Sequence, residues 1–158
     1  MIILGIDQSM SCSGLVILKD DTEMLYHGVI KTSKEAGSIF KRFNTISSEI
    51  IDLIIKYNVD TIKIEGIPFG RIPGNASRDL AGLQAVIICN ILDQQGKECI
   101  IIPPKAVKKF ATDNGNAKKP EMLEAVPELH RVEFVNSGYK KTTGIYDLAD
   151  AYFIGMYQ

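Results

Sequence analysis

The order of strand-like and helix-like segments most narrows the folds open to this chain. Residues 2–6, 15–18 and 24–30 are short, mainly apolar runs, the first of them rich in β-branched residues, and only short polar turns separate them. Such spacing is typical of antiparallel strands joined as a meander. Two further strands, predicted at residues 61–65 and 99–102, alternate with segments of helical period. A meander followed by helix-separated strands predicts an α/β fold, with a mixed five-stranded sheet and helices on both faces.

The helical segments are predicted from apolar residues that recur at spacings of three and four. The first such stripe runs from Phe43 to Tyr57, and Asn58 is a suitable end because it tolerates the left-handed conformation. Further helices are predicted at residues 78–95, 104–110, 118–125 and 145–157. Loops are expected at 66–75, which is rich in proline and glycine, and over 127–143, where no regular period is visible.

Length and composition are those of an ordinary globular domain. The chain has 158 residues, of which 46% are hydrophobic and 23% charged, so we expect one domain over residues 1–158. No apolar run approaches the roughly 20 residues that a membrane span needs, and no basic region precedes the first one. The three cysteines, Cys12, Cys89 and Cys99, form no CxxC pair. We therefore expect a cytoplasmic protein with reduced thiols and no membrane partner.

Acidic residues stand at the ends of three apolar segments. Asp7 follows the first strand, Glu65 ends the fourth, and Asp147 and Asp150 open the last helix. A turn residue, a solvated strand end or a favourable contact with the helix dipole would explain each acid by itself. Together, four carboxylates in apolar surroundings call for a shared cation. Oxygen ligands select Mg²⁺ or Mn²⁺, and no organic cofactor is expected.

This set of acids predicts metal-dependent chemistry on an anionic substrate. If the first and fourth strands are neighbours, Asp7 and Glu65 lie side by side, and the last helix can bring Asp147 and Asp150 to them. One or two divalent ions held there could activate water and stabilise the departing oxygen of a phosphodiester. We therefore predict all four acids to be both metal ligands and catalytic residues.

A basic segment and a flexible loop supply candidate contacts to nucleic acid. Between Pro103 and Pro120 there are five lysines and one acid, although the net charge of the whole chain is −1. An aromatic residue between proline and glycine in the loop could stack on an unpaired base. The predicted DNA-binding residues are Lys105, Lys108, Lys109, Lys118, Lys119, Phe69, Arg71 and Arg78.

Taken in order, these segments resemble the RuvC family of Holliday-junction resolvases, which have a ribonuclease H-like fold. The matching pieces are Gly5-Ile6-Asp7 with Gly14, Ile64-Glu65, Ala81 to Val86, the basic segment, and Asp147 to Ala151. The resemblance implies a homodimer that nicks four-way junctions symmetrically with Mg²⁺ or Mn²⁺. It also implies that the four acids are the catalytic ones, and it makes Lys108 and Lys118 candidates for phosphate contact.

Some positions depart from the family pattern and leave alternatives open. The turn from Gln8 to Ser13 stands where relatives often have Pro-Gly and a basic residue, as would suit a compact, diverged member such as one from a bacteriophage. An RNA-processing nuclease of the same fold and a non-catalytic binding module remain alternatives. Gly5 to Ser9 with Gly14 also resembles the phosphate hairpin of actin-like ATPases and sugar kinases, which need a second domain. We expect dimerisation, with the second helix as the first choice of interface.

Overall fold

The strands form a mixed sheet, as the sequence predicted. The computed structural model describes residues 1–20, 22–67 and 74–158, and in these residues there are five strands. They are β1 Ile2–Asp7, β2 Cys12–Lys19, β3 Glu23–Lys31, β4 Thr61–Glu65 and β5 Cys99–Ile102. The order across the sheet is β3-β2-β1-β4-β5. β1 to β3 form the antiparallel meander, and β4 and β5 add to it in parallel.

Six α-helices accompany the sheet in the described residues. They are α1 Ile39–Tyr57, α2 Gly74–Gln95, α3 Pro104–Thr112, α4 Lys119–Ala125, α5 Glu128–Asn136 and α6 Ile145–Met156. α1 ends where predicted, because Asn58 takes the left-handed conformation with φ 50° and ψ 52°. No helix in the described ranges has both the length and the apolar character to cross a bilayer.

The two faces of the sheet bury different helices. Because side chains alternate along a strand, Leu4 and Ile6 of β1 face one way, together with Ile62 and Ile64 of β4. This face packs against α1 and α2, and the opposite face packs against α3 to α6. Asp7 follows Ile6 and Glu65 follows Ile64, so the side chains of both acids point to the opposite face, on the α6 side.

Glycines allow α6 to lie directly on the sheet. A Cβ atom at Gly5 would lie 2.1 Å from the carbonyl oxygen of Ala151, and one at Gly14 would lie 2.2 Å from that of Asp147. Neither position has room for a side chain, so the backbone of α6 rests on β1 and β2. At the other end of the helix, Lys63 Nζ donates to the carbonyl oxygens of Gly155 at 2.8 Å and Tyr157 at 2.7 Å. Lysine is a favourable partner for the last carbonyls of a helix.

Three elements differ clearly from the sequence-based prediction. β2 begins at Cys12, three residues before the predicted strand at 15–18. The stretch over 127–143, predicted as irregular, contains α5, which buries His130 and Phe134 one turn apart. Leu129, Val132 and Val135 are apolar but exposed, so apolar residues occur around the whole helix and hide its period. α2 begins at Gly74, four residues before the predicted start, so the predicted loop at 66–75 is wrong for its last two residues. Residues 68–73 of that loop lie outside the described residues.

Candidate catalytic site

The four acids predicted from the sequence come together at one end of the sheet. Ile6 of β1 pairs with Ile64 of β4 in parallel, which places Asp7 and Glu65 at neighbouring strand ends. Asp7 also pairs with Gly14, and the backbone of Asp147 lies directly over that glycine. Asp150 follows one helical turn later and acts electrostatically on both Asp7 and Glu65. The four acids are therefore brought together by the parallel register of β1 and β4 and by the packing of α6 on the sheet.

Burial and mutual repulsion raise the pKa of three of these carboxyl groups, those of Asp7, Glu65 and Asp150. Burial raises the pKa of Asp7 well above its usual range, and the charges of Asp150, Glu65 and Asp147 raise it further. Burial, followed by the charge of Asp150, raises the pKa of Glu65 to about 7. Burial is also the main cause that raises the pKa of Asp150 to about 6. Perturbations of this kind are typical of functional sites.

Lysines partly offset this negative charge. Lys119 Nζ donates to Asp147 Oδ1 at 2.9 Å, and its side chain is half-exposed. Burial lowers the pKa of Lys119, but the hydrogen bond and charge of Asp147, with the charges of Asp7 and Asp150, outweigh it and leave that pKa raised. The charges of Lys108 and Lys119 also oppose the rise in pKa at Glu65 and Asp150.

The donor atoms at this site suit a hard divalent cation. Asp147 Oδ2 is buried and has no hydrogen-bond partner, although buried polar atoms are nearly always paired. The surrounding donors are carboxylate oxygens, which Mg²⁺ and Mn²⁺ prefer. In the described residues, no three His, Cys, Asp or Glu side chains are arranged as a ready-made ion site. The acids therefore share one end of the sheet without forming a closed ligand cage.

A cavity of about 850 Å³ opens beside the acids. Asp7, Glu65 and Asp150 line it, and so do three of the predicted lysines, namely Lys105, Lys108 and Lys119. The walls are completed by residues of α2, β5 and α4. A concave site that combines carboxylates with cationic side chains can admit an anionic substrate and hold a cation next to it.

The remaining predicted DNA-binding residues occupy other positions. Lys109 and Lys118 are exposed and do not line the cavity. Lys118 is the N-cap of α4, where its backbone N–H donates to Glu121 Oε2 at 2.7 Å. Arg78 is exposed on α2. Phe69 and Arg71 lie outside the described residues.

Three residues that the sequence did not single out support the acids. Gln8 Nε2 and Gln84 Nε2 both donate to the backbone carbonyl oxygen of Glu65, at 3.1 and 2.8 Å. Cys12 is buried, and burial, followed by the nearby Asp147 carboxylate, raises the pKa of the thiol to about 12. Glutamine and cysteine carry no motif here, and the only signal in the sequence was that Gln8 directly follows an acid at a strand end.

Comparisons with known proteins agree on one family. The family model described as crossover junction endodeoxyribonuclease RuvC matches residues 3–150. A protein of that name from Ehrlichia canis is 28% identical over 159 residues, covering 99% of this chain and 94% of the relative. Another, from Rickettsia conorii, is 30% identical over 154 residues, covering 96% of this chain and 92% of the relative.

Solved structures of the same family share the fold. The RuvC structure from Thermus thermophilus superposes with a TM-score of 0.76 at 19% identity, covering 99% of this chain and 92% of that one. The same protein in complex with a Holliday junction substrate gives a TM-score of 0.74 at 21% identity, covering 99% and 91%. These likenesses confirm the ribonuclease H-like fold that the sequence resemblance implied.

Proposed function

This chain belongs to the RuvC family of crossover junction endodeoxyribonucleases, and from that premise we propose that it resolves four-way DNA junctions by hydrolysing phosphodiester bonds. The observation that carries the proposal is the cavity in which Asp7, Glu65 and Asp150 face Lys105, Lys108 and Lys119. Acids alone would repel DNA, and lysines alone would only bind it. Their juxtaposition supports binding and hydrolysis at one place.

Asp7, Glu65, Asp147 and Asp150 would hold the divalent metal on which the family depends. We propose Mg²⁺ or Mn²⁺, as one or two ions in each subunit. When bound, such ions supply an activated water and stabilise the departing oxygen. The protein contributes the positions of its carboxylates. These positions follow from the register of β1 and β4 and from the packing of α6 on the sheet. Gln8 and Gln84 hold the Glu65 backbone through two hydrogen bonds to its carbonyl oxygen.

The basic residues would hold the DNA backbone. Lys105, Lys108 and Lys119 are placed to contact the phosphates next to the cleaved bond, because they line the same cavity as the acids. The exposed Lys109, Lys118 and Arg78 would contact phosphates farther away. From the sequence alone, we also propose that Arg71 contacts a phosphate and that Phe69 stacks on an unpaired base. Contacts of this kind make junction binding strongly dependent on salt.

A homodimer would bring two such sites to one junction, which has two strands to cut. The exposed face of α2 supports this proposal, because Ala81, Ala85 and Cys89 recur there every four residues. Small residues at this spacing let two helices approach closely. Leu92 on α2 and Ile100 on β5 are also about half-exposed, at 50% and 52%. We propose that residues 1–158 form a single nuclease domain and act in the cytoplasm, where thiols stay reduced.

A cleavage assay on matched DNA substrates tests the proposal. We expect purified protein with Mg²⁺ to nick a synthetic four-way junction in two symmetric positions and to leave a linear duplex intact. Asp7→Asn should abolish nicking while junction binding in a gel-shift assay is retained. Asp52→Asn, which alters an exposed acid on α1, is the matched control and should cleave normally. Undiminished cleavage by Asp7→Asn would refute the proposed site.

Structured RNA and a three-way junction belong in the same assay. Preference for RNA would favour the alternative of an RNA-processing nuclease. The match to the family model over residues 3–150 already disfavours a fragment of a sugar kinase or an actin-like ATPase. Sedimentation of the free protein tests the dimer, and a monomer at all protein concentrations would contradict that part of the proposal.

A further inference from the structure

A second depression lies beside the catalytic cavity, at the end of β1. It has a volume of about 550 Å³. Asp7 lines the catalytic cavity, and Gln8, the next residue, lines the second depression. Consecutive Cα atoms are only about 3.8 Å apart, so the two sites are immediate neighbours. The first turn of α2 walls both, with Ser77 on one side and Ala76 on the other. A DNA strand in the catalytic cavity can therefore continue into the depression.

Arg42 of α1 presents a fixed guanidinium group to this depression. Its Nε donates to Thr32 Oγ1 at 3.0 Å, and its Nη2 donates to the Met10 carbonyl oxygen at 2.5 Å. A guanidinium has five N–H donors, so three of them remain. Nη1 makes no hydrogen bond within the described residues, and it is not among their buried unpaired atoms, so it is open to solvent. A pre-oriented guanidinium with free N–H groups is well suited to phosphate oxygens.

The positive charge of Arg42 is not taken up by an ion pair. In the described ranges, no carboxylate oxygen lies within 4.0 Å of its guanidinium. Asp79 is the one acid among the described lining residues, and it lies 3.9 Å from Arg78. A hydrogen bond from Ser33 is the main cause that lowers the pKa of Glu35, and the charge of Arg42 contributes. Glu35 is exposed and does not line the depression, so Arg42 remains available to an anion.

Hydroxyl groups and a lysine add further donors to the lining. Ser9 Oγ and Ser11 Oγ are 3.4 Å apart, and only one of them can donate to the other, so one O–H is left for a ligand. Lys34 is exposed and lines the same depression. Two cationic side chains and a hydroxyl are typical donors to a DNA phosphate, which they bind without reading a base.

We propose that this depression binds a backbone phosphate of the DNA strand that is cut, with Arg42 as a positioning residue. The inference rests on the proposed junction cleavage. Met10, whose carbonyl oxygen Arg42 holds, is three residues beyond Asp7, so their Cα atoms are at most about 11 Å apart. A DNA strand carries one phosphate for about every 3.4 Å of helix axis, so a strand cut at Asp7 has further phosphates within this distance. A phosphate held by Arg42 would determine which phosphodiester bond lies at the acids.

Neutral phosphates placed one at a time in the DNA locate this contact. Four-way junctions are made with a single methylphosphonate at each position up to about four nucleotides from the cut, which covers the distance above. Their affinities are measured by fluorescence anisotropy without divalent ions, so that the DNA stays intact. We expect the unaltered protein to lose about tenfold in affinity at one phosphate other than the cleaved one, because a hydrogen bond to a charged group is lost.

Protein variants show whether Arg42 makes the contact. Arg42→Gln should weaken binding of the unmodified junction by a similar factor, and the methylphosphonate at the sensitive position should then weaken it no further. The slope of log affinity against log salt should fall by about one. With Mg²⁺, its cuts should spread to neighbouring phosphodiester bonds. Arg131→Gln is the matched control and should behave like the unaltered protein, because Arg131 also donates to a carbonyl oxygen, that of Glu124, but lines neither site.

The outcomes separate this inference from the proposed function. If the methylphosphonate effect persists in full in Arg42→Gln, Arg42 only supports the fold, and the inference is overturned. If that variant does not fold, the scan with the unaltered protein decides, and the absence of a sensitive phosphate besides the cleaved one overturns the inference. Calorimetry with inorganic phosphate tests a free anion as the ligand. Binding that Arg42→Gln abolishes, without any sensitive DNA position, would also overturn it. Absence of junction cleavage by the unaltered protein with Mg²⁺ would instead overturn the proposed function.

Discussion

The close packing of α6 on Gly5 and Gly14 leads to a specific prediction: Gly14→Ala should disable the catalytic site. The new Cβ would lie 2.2 Å from the Asp147 carbonyl oxygen and 2.5 Å from its carbon, both backbone atoms that cannot rotate away. Cβ contacts shorter than 3.0 Å essentially never occur. The helix must therefore move by about 1 Å, and Asp147 and Asp150 move with it. A misplacement of about 1 Å can lower a catalytic rate by about 100-fold.

Two measurements and one control decide this prediction. Single-turnover junction cleavage should fall by about 100-fold, and the free energy of unfolding from urea titration should fall by about 1–3 kcal/mol, as is typical of overpacked interfaces. Gly155→Ala lies in the same interface, but its Cβ would meet a flexible atom, Leu18 Cδ1, at 3.2 Å. We expect it to change both quantities little. If Gly14→Ala cleaves junctions and unfolds like the unaltered protein, α6 does not pack on Gly14 as described.

Three further predictions concern charge at the site and the opposite end of α6. Lys119→Gln removes the cation bonded to Asp147, so we expect tighter Mn²⁺ binding by calorimetry together with slower cleavage, and unchanged metal affinity would count against this competition. The pKa of Glu65 is raised to about 7 and that of Asp150 to about 6, so the folded state retains protons that the unfolded chain has already released. Without divalent ions, the contribution of these two acids to the free energy of unfolding should therefore decrease as the pH rises from about 4 to about 7.5. Urea titrations should show a smaller decrease for Asp150→Asn, and an identical pH dependence would contradict the assignment. Lys63→Met removes the donor to two carbonyl oxygens at the end of α6 and should lower the free energy of unfolding by about 1–3 kcal/mol; equal stability in urea would show that this contact contributes nothing.

The positions of Asp7 and Glu65 were predictable because a strand imposes a strict period on its side chains. Once β1 and β4 are neighbours, both acids must face the same side at the same end. The position in which α6 packs on the sheet was not predictable in the same way. Gly5 and Gly14 carry no side chain, and their meaning appears only when the helix lies on them.

The sequence also could not predict which of two neighbouring lysines contacts the acids. Lys118 and Lys119 are adjacent residues of the same type. Because α4 begins between them, Lys118 is the N-cap, whereas Lys119 donates a hydrogen bond to Asp147. The supporting roles of Gln8 and Gln84 depend on two distant elements that meet at one carbonyl oxygen. The local sequence pattern does not predict contacts between elements that are far apart in the chain.

The short edge strand β5 has a consequence for how the folded chain avoids unwanted association. Ile100 and Ile101 are each 52% exposed on this strand, and unpaired strand edges are templates for pairing with other chains. β5 spans only four residues, and Pro103 directly after it has no N–H to offer an incoming strand. The edge is thus limited in length rather than covered. Substitutions that lengthen β5, such as Pro103→Val, should promote aggregation, whereas a partner that binds over Ile100 would suppress it.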